Sequence, residues 1–85
     1  MLSVVTLIGL TGPKTEDEIR TIEVTRAYCE DMHKPHVDRI AVILWSRDRS
    51  SPFYSVPAGN LVTIKGRLEV INCHLYVIAE QVNFI

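Results

Sequence analysis

From Gly59 to the end, the chain reads as one long β-hairpin, and this pattern limits what the rest can be. Val62, Ile64, Gly66, Leu68 and Val70 alternate with Thr63, Lys65, Arg67 and Glu69. A period of two puts the first set on one face of a strand and the second on the other. Asn72-Cys73 interrupts the alternation as a tight turn, and Leu75 to Ile85 returns as the second strand. One face of the hairpin is apolar, and the other is polar and partly basic.

Three more extended segments precede it. Leu2 to Leu10 is rich in Val, Thr, Leu and Ile and ends at the turn signal Thr11-Gly12-Pro13, followed by the acidic run Glu16-Asp17-Glu18. Ile19 to Tyr28 sets Ile22 and Val24 against Thr21, Glu23 and Thr25, and the polar stretch from Cys29 to His36, with Lys34-Pro35, suits a hairpin loop. Val37 to Trp45 carries Ile40, Val42 and Leu44 on its core face and Arg39, Ala41, Ile43 and Trp45 on the other. Between Ser46 and Ala58 two prolines leave room for a short helical turn but no long helix. Five short strands with one longer connection between the third and fourth point to an all-β domain, a five-stranded Greek-key barrel of the OB type spanning 1–85. An open antiparallel sheet dimerising through its edge is the alternative.

At 85 residues the chain holds one small domain, and a domain of that size buries only about 60–65% of its unfolded surface. A partner subunit would add to its stability. The hydrophobic fraction of 47% is high for so short a chain, yet no apolar run approaches the roughly 18 residues that span a bilayer. The apolar start lacks a basic segment and a small-residue cleavage site, so the expected location is the cytoplasm, with no membrane partner. Cys29 and Cys73 have no C-x-x-C spacing and read as reduced thiols. The net charge of −1 hides an uneven distribution, because residues 32–67 hold six basic and two acidic side chains. One surface can therefore be basic although the whole is not.

Several stretches resemble the bacterial single-stranded-DNA-binding protein family. Val4-Val5-Thr6-Leu7-Ile8-Gly9 is similar to that family's first strand, Ile22-Glu23-Val24-Thr25 to its second, and Asp38 through Trp45 to its third, which ends in Trp or Phe. The spacing from Trp45 to Gly59, and on to Gly66-Arg67-Leu68, follows the family pattern, as does the closing Tyr76 to Ile85. The ending Ala79-Glu80-Gln81-Val82 also resembles the primosomal replication protein B branch, whose members are short, tail-less and dimeric. The family's Asp-Pro-Glu after the first strand is replaced here by Gly12-Pro13-Lys14, and the second loop is short. The sequence ends at Ile85 without an acidic tail, so tail-dependent recruitment of repair and replication proteins is not expected.

The resemblance implies an OB-fold protein that binds single-stranded DNA, or RNA, with little sequence preference. It implies a homodimer or homotetramer, with work in DNA replication, recombination or repair and with primosome proteins as further partners. Such binding needs ring faces for unpaired bases and a positive groove for the backbone. Trp45 is the leading stacking candidate; the competing role is an anchor in the core or a dimer interface. Phe53 and Tyr54 read more readily as structural, whereas Tyr28 and Tyr76 can either stack a base or shield an edge. Arg26, Lys34, Arg39, Arg47, Arg49, Lys65 and Arg67 are the phosphate candidates, with Lys65 and Arg67 two apart on one face. The acidic run is expected to stay clear of the strand.

Cys29, His33, His36, Cys73 and His74 fall in two hairpin tips, but C-x3-H-x2-H matches no common zinc spacing, and neither metal nor cofactor is expected. With no H-E-x-x-H, phosphate-cradling glycine run or G-x-S-x-G, enzymatic activity is not expected either. The second functional class is a protein-interaction module that keeps the barrel and uses Ala41, Ile43 and Trp45 to hold a replication protein.

Overall fold

The first strand, β1 (Val5–Thr11), is shared by two neighbours, and this sharing closes the sheet. It runs antiparallel to β4 (Leu61–Ile71) from Val5↔Gly66 to Leu10↔Leu61, then meets β2 (Ile19–Thr25) at Leu10↔Glu23 and Thr11↔Ile22. The computed structural model describes residues 4–15, 17–25 and 36–85. β2 pairs with β3 (Val37–Leu44), which lies parallel to β5 (His74–Phe84) from Val42↔Val77 to Leu44↔Ala79. The β4–β5 hairpin completes a closed barrel of order β1-β2-β3-β5-β4, the OB topology that the sequence leads one to expect. Its tight turn is at Asn72 and Cys73, whose φ values of 51° and 66° suit a two-residue hairpin loop of the primed type.

Two glycines permit the coiling. A Cβ on Gly66 would stand 1.8 Å from the Ile78 carbonyl oxygen, at the point where the β4–β5 register slips and leaves Glu80 unopposed. At Gly9, just before β1 changes partner, a Cβ would lie 2.5 Å from the Glu23 carbonyl oxygen. Neither position has space for a side chain.

Ile22, Val42, Leu44, Val62, Ile64, Val77 and Ala79 fill the barrel, with Val5, Leu7, Val24, Ile40 and Val82 packed partly buried against them. The third strand stops at Leu44, one residue before the expected end, so Trp45 opens the following turn. On the hairpin only part of the apolar face is buried. Val62 and Ile64 are core, but Leu68 and Val70 are 43% and 65% exposed, because β4 continues past Gly66, its last β1 partner among the described residues.

Between the prolines lies α1 (Pro52–Ser55), capped by the Ser51 side chain, which accepts the Phe53 N–H. It packs Phe53 and Tyr54 into the core as one end-plug of the barrel, the structural role expected of them. Their rings meet edge to face with centroids 4.9 Å apart.

The plug is held by a charged side chain on the apolar parity of β2. Arg20 shares the inward parity of Ile22 and Val24 and is 0% exposed. Its guanidinium donates to the Gly12 carbonyl twice, at 2.7 and 3.2 Å, to the Tyr54 carbonyl at 3.1 Å and to the Val56 carbonyl at 2.9 Å. Burial lowers its pKa from the usual value, but arginine remains charged, and the carbonyl dipoles replace the water it has lost. Beside it the Thr11 hydroxyl donates to the Pro57 carbonyl and accepts the Asn60 N–H. The Tyr54 hydroxyl donates to the Glu18 carbonyl at 2.5 Å and accepts the Leu44 N–H at 3.0 Å.

Replacing Arg20 by Met keeps much of the bulk but strands three carbonyls, so urea denaturation should show a loss of about 3 kcal/mol. Tyr54 gives a separate, pH-dependent signature. Burial raises its pKa above the ordinary 10.0, opposed by the Leu44 N–H and adjusted by Glu18, Arg47 and Arg49. A raised folded pKa means that its contribution is intact below the unfolded pKa and is lost as pH climbs through the folded one. Tyr54→Phe should cost about 2 kcal/mol at neutral pH, and the gap to the native protein should narrow as unfolding is followed above the usual tyrosine range.

Candidate nucleic-acid interface

Strand registers assemble the outer face from four strands. Thr21 and Glu23 of β2 stand opposite Ala41 and Arg39 of β3, and Ile19 lies opposite Ile43. Ile43 is beside Ile78 of β5, which neighbours Arg67 of β4, and Tyr76 is opposite Glu69. Parity puts Ile43 off the core, yet it and the neighbouring Ile78 are only 6% and 4% exposed. The coiled sheet and flanking side chains cover them, giving this face an apolar floor.

Two hollows share Tyr76 at their borders, one over Ile43 on that floor and one at an open end of the barrel beside the core-side Val5, Leu7, Ile40 and Val77. One, of about 320 Å³, is lined by Asp17, Glu18, Ile19, Ile43, Arg47, Arg49, Ile71 and Tyr76. The other, of about 430 Å³, lies where β3 and the hairpin diverge, with Arg39 and Tyr76 at the rim of an apolar lining that includes Ile40, Leu68, Leu75 and Val77. Tyr76 is half-buried, its ring edge-on to His74 with centroids 6.5 Å apart.

Trp45 is 66% exposed, so it is not part of this chain's core. Its N–H is held by the Ala79 carbonyl at 2.9 Å, which fixes the backbone from which the indole projects. It stands between Ile43 and Arg47 in sequence, two residues from each, and both line the first hollow. Arg47 has φ 54° and its N–H returns to the Leu44 carbonyl, so this turn is tightly specified. Asp48 is occupied locally, taking both the N–H and the hydroxyl of Ser50, which lower its pKa.

The sequence candidates thus separate into groups. Arg39, Arg47, Arg49 and Tyr76 border the hollows. Lys65 and Arg67 are exposed and border neither; Lys65 lies across from Thr6 and Gln81, and Arg67 pairs with Glu69 at 3.0 Å. Arg39 has Glu23 at 3.8 Å. Arg26, Tyr28 and Lys34, with Cys29 and His33, lie outside the described residues. Among the described residues no group of three His, Cys, Asp or Glu is arranged to hold a metal ion.

Asp17 and Glu18 line the same hollow as Arg47 and Arg49. Nothing local in the sequence signals this, because it follows from the Ile19↔Ile43 register, which carries the β1–β2 turn to the end of β3.

No family model matches the chain, and no curated protein does. Among solved structures, the chain is similar to the N-terminal domain of PriB protein from Thermoanaerobacter tencongensis, a structure described as dimeric. The TM-score is 0.64 over 98% of this chain and 96% of that one, at 20% sequence identity. At such identity the likeness establishes the fold, an OB barrel.

Proposed function

We propose that the chain is a sequence-tolerant single-stranded-DNA-binding protein of OB fold that acts in DNA replication or repair, as a binding protein and not an enzyme. The observation that supports this reading most directly is the outer face itself. The half-buried Tyr76 phenol and Arg39, Arg47 and Arg49 border two hollows with largely apolar linings, and the exposed Trp45 indole stands on the turn that carries Arg47. Unpaired bases need ring faces to stack on and their phosphates need nearby cations, and this face offers both.

A homodimer is part of the proposal. The PriB domain is described as dimeric, and here Ile8 and Leu10 of β1 and Leu61 of β4 form an exposed apolar strip, followed on the same face by Thr63, Thr6 and Lys65. Val4, Ile8, Leu10 and Leu61 are 72%, 61%, 42% and 40% exposed, and Ile85, whose N–H reaches the Leu61 carbonyl, is 77% exposed. Contiguous apolar surface of this kind marks an interface more often than bare solvent contact.

The protein-interaction reading also has an observation in its favour, since Glu23, Glu69, Asp17 and Glu18 temper the positive charge of the outer face. The two readings part on direct binding. Trp45→Ala should weaken oligothymidine affinity by at least several-fold while shifting the thermal midpoint little, as expected of an exposed side chain. If three or four cations engage phosphate, log affinity should fall against log salt with a slope of about −2 to −3. Unchanged affinity in the variant would remove the stacking role, and an absence of binding at low salt would favour the protein partner. In sedimentation equilibrium Ile8→Glu, a charge placed in the strip, should shift a dimer toward monomer.

A further inference from the structure

We infer that the hollow between the β1–β2 turn and the end of β3 is a subsite selective for guanine within a bound single strand; this rests on the single-strand reading of the surrounding face. Carboxylates and guanidiniums line it together: Asp17 and Glu18 with Arg47 and Arg49, over Ile43 and Ile71 and beside the Tyr76 ring. Opposite charges so close usually cancel. Here neither carboxylate lies within 4.0 Å of either guanidinium, and among the described residues the Arg47 and Arg49 side chains have no hydrogen-bond partner. Donors and acceptors are left facing one space.

Both sets of groups stand on fixed backbone. The Glu18 carbonyl is held by the buried Tyr54 hydroxyl, and the Thr15 hydroxyl donates to the Ile19 carbonyl. On the opposite wall, the Arg47 N–H is tied to Leu44, and Asp48 is engaged by Ser50, which leaves the flanking arginines to the hollow.

The mixture selects among the parts of a nucleotide. A carboxylate only accepts hydrogen bonds and a guanidinium only donates them. Phosphate, an acceptor, would meet the carboxylates as like charge, so the base and not the backbone suits this space. At about 320 Å³ the hollow is at the small end of ligand sites, of a size for one base beside Tyr76. Guanine alone presents two adjacent donors, N1–H and the 2-amino group, next to the acceptors O6 and N7 that arginine reads. Thymine has one N–H between two carbonyls, and adenine and cytosine each offer a single amino group.

The test compares labelled oligothymidine with the same oligomer carrying one central guanine, hypoxanthine or adenine, by fluorescence anisotropy. A single guanine should tighten binding about fivefold or more, and hypoxanthine, which lacks the 2-amino group, should return most of that gain. The double variant Asp17→Asn, Glu18→Gln keeps the Glu18 carbonyl that Tyr54 needs. With its fold verified by thermal midpoint, it should no longer distinguish guanine from hypoxanthine. Equal affinity for all four oligomers, with salt-sensitive binding intact, would overturn the guanine subsite and leave the single-strand reading standing. A double variant that keeps the preference would also overturn the assignment to this hollow. No binding to any oligomer would overturn both readings.

Discussion

The Arg20 guanidinium is the tie on which the arrangement of this barrel depends. Three backbone carbonyls, one from the turn after β1 and two from the C-terminal end of the plug, point at one buried cation. A plug of four helical residues has too little contact area and too few hydrogen bonds to fix itself. The cation supplies what the helix lacks. Because Tyr54 is thereby fixed, its hydroxyl can anchor both the β1–β2 turn, through Glu18, and the last residue of β3, through Leu44. These are the two segments whose side chains wall the first hollow. The interior of the barrel and the character of its outer face are linked through a single phenol.

The outer face combines properties that would work against each other on a flat sheet. Coiling brings Ile43 and Ile78 under cover, so the floor is apolar although the strands alternate. The polar groups are displaced to the rim, where the two hollows meet at Tyr76. A single strand crossing such a surface would rest its bases on carbon and keep its charge near the edge. The modest net charge of −1 is consistent with that division, since local placement and not total charge sets the field at the rim.

Much of this could be read in the sequence, and the exceptions have physical causes. Alternation identified Ile40, Val42, Leu44, Val62 and Ile64 as inward, because a period of two survives whatever the sheet does later. It missed the cover over Ile43, because parity describes a flat strand and coverage comes from curvature. It overstated the burial of Leu68 and Val70, because periodicity does not say where a neighbouring strand ends. Arg20 left only a faint signal, an ionised residue on the apolar parity of β2. The aromatic Trp45 was legible as a candidate for the outer face, and its exposure fits that placement. The meeting of Asp17 and Glu18 with Arg47 and Arg49 was not legible at all, because it is a product of strand register between segments distant in the chain.

The shared strand β1 has a kinetic consequence. Val5 finds its partner only at Gly66, and Leu10 at Leu61, so the seam that closes the barrel joins segments 51 to 61 residues apart in sequence. The β4–β5 hairpin has a local turn and can zip by itself, but β1 must wait for a long loop to be drawn shut. On a ribosome the order is less favourable still, for β1 emerges first and its partner late. Until then Val5, Leu7 and Ile8 are an open apolar strand edge, the kind of segment that pairs with a neighbouring chain. The same strand that completes the barrel is thus the point at which assembly and misassembly diverge.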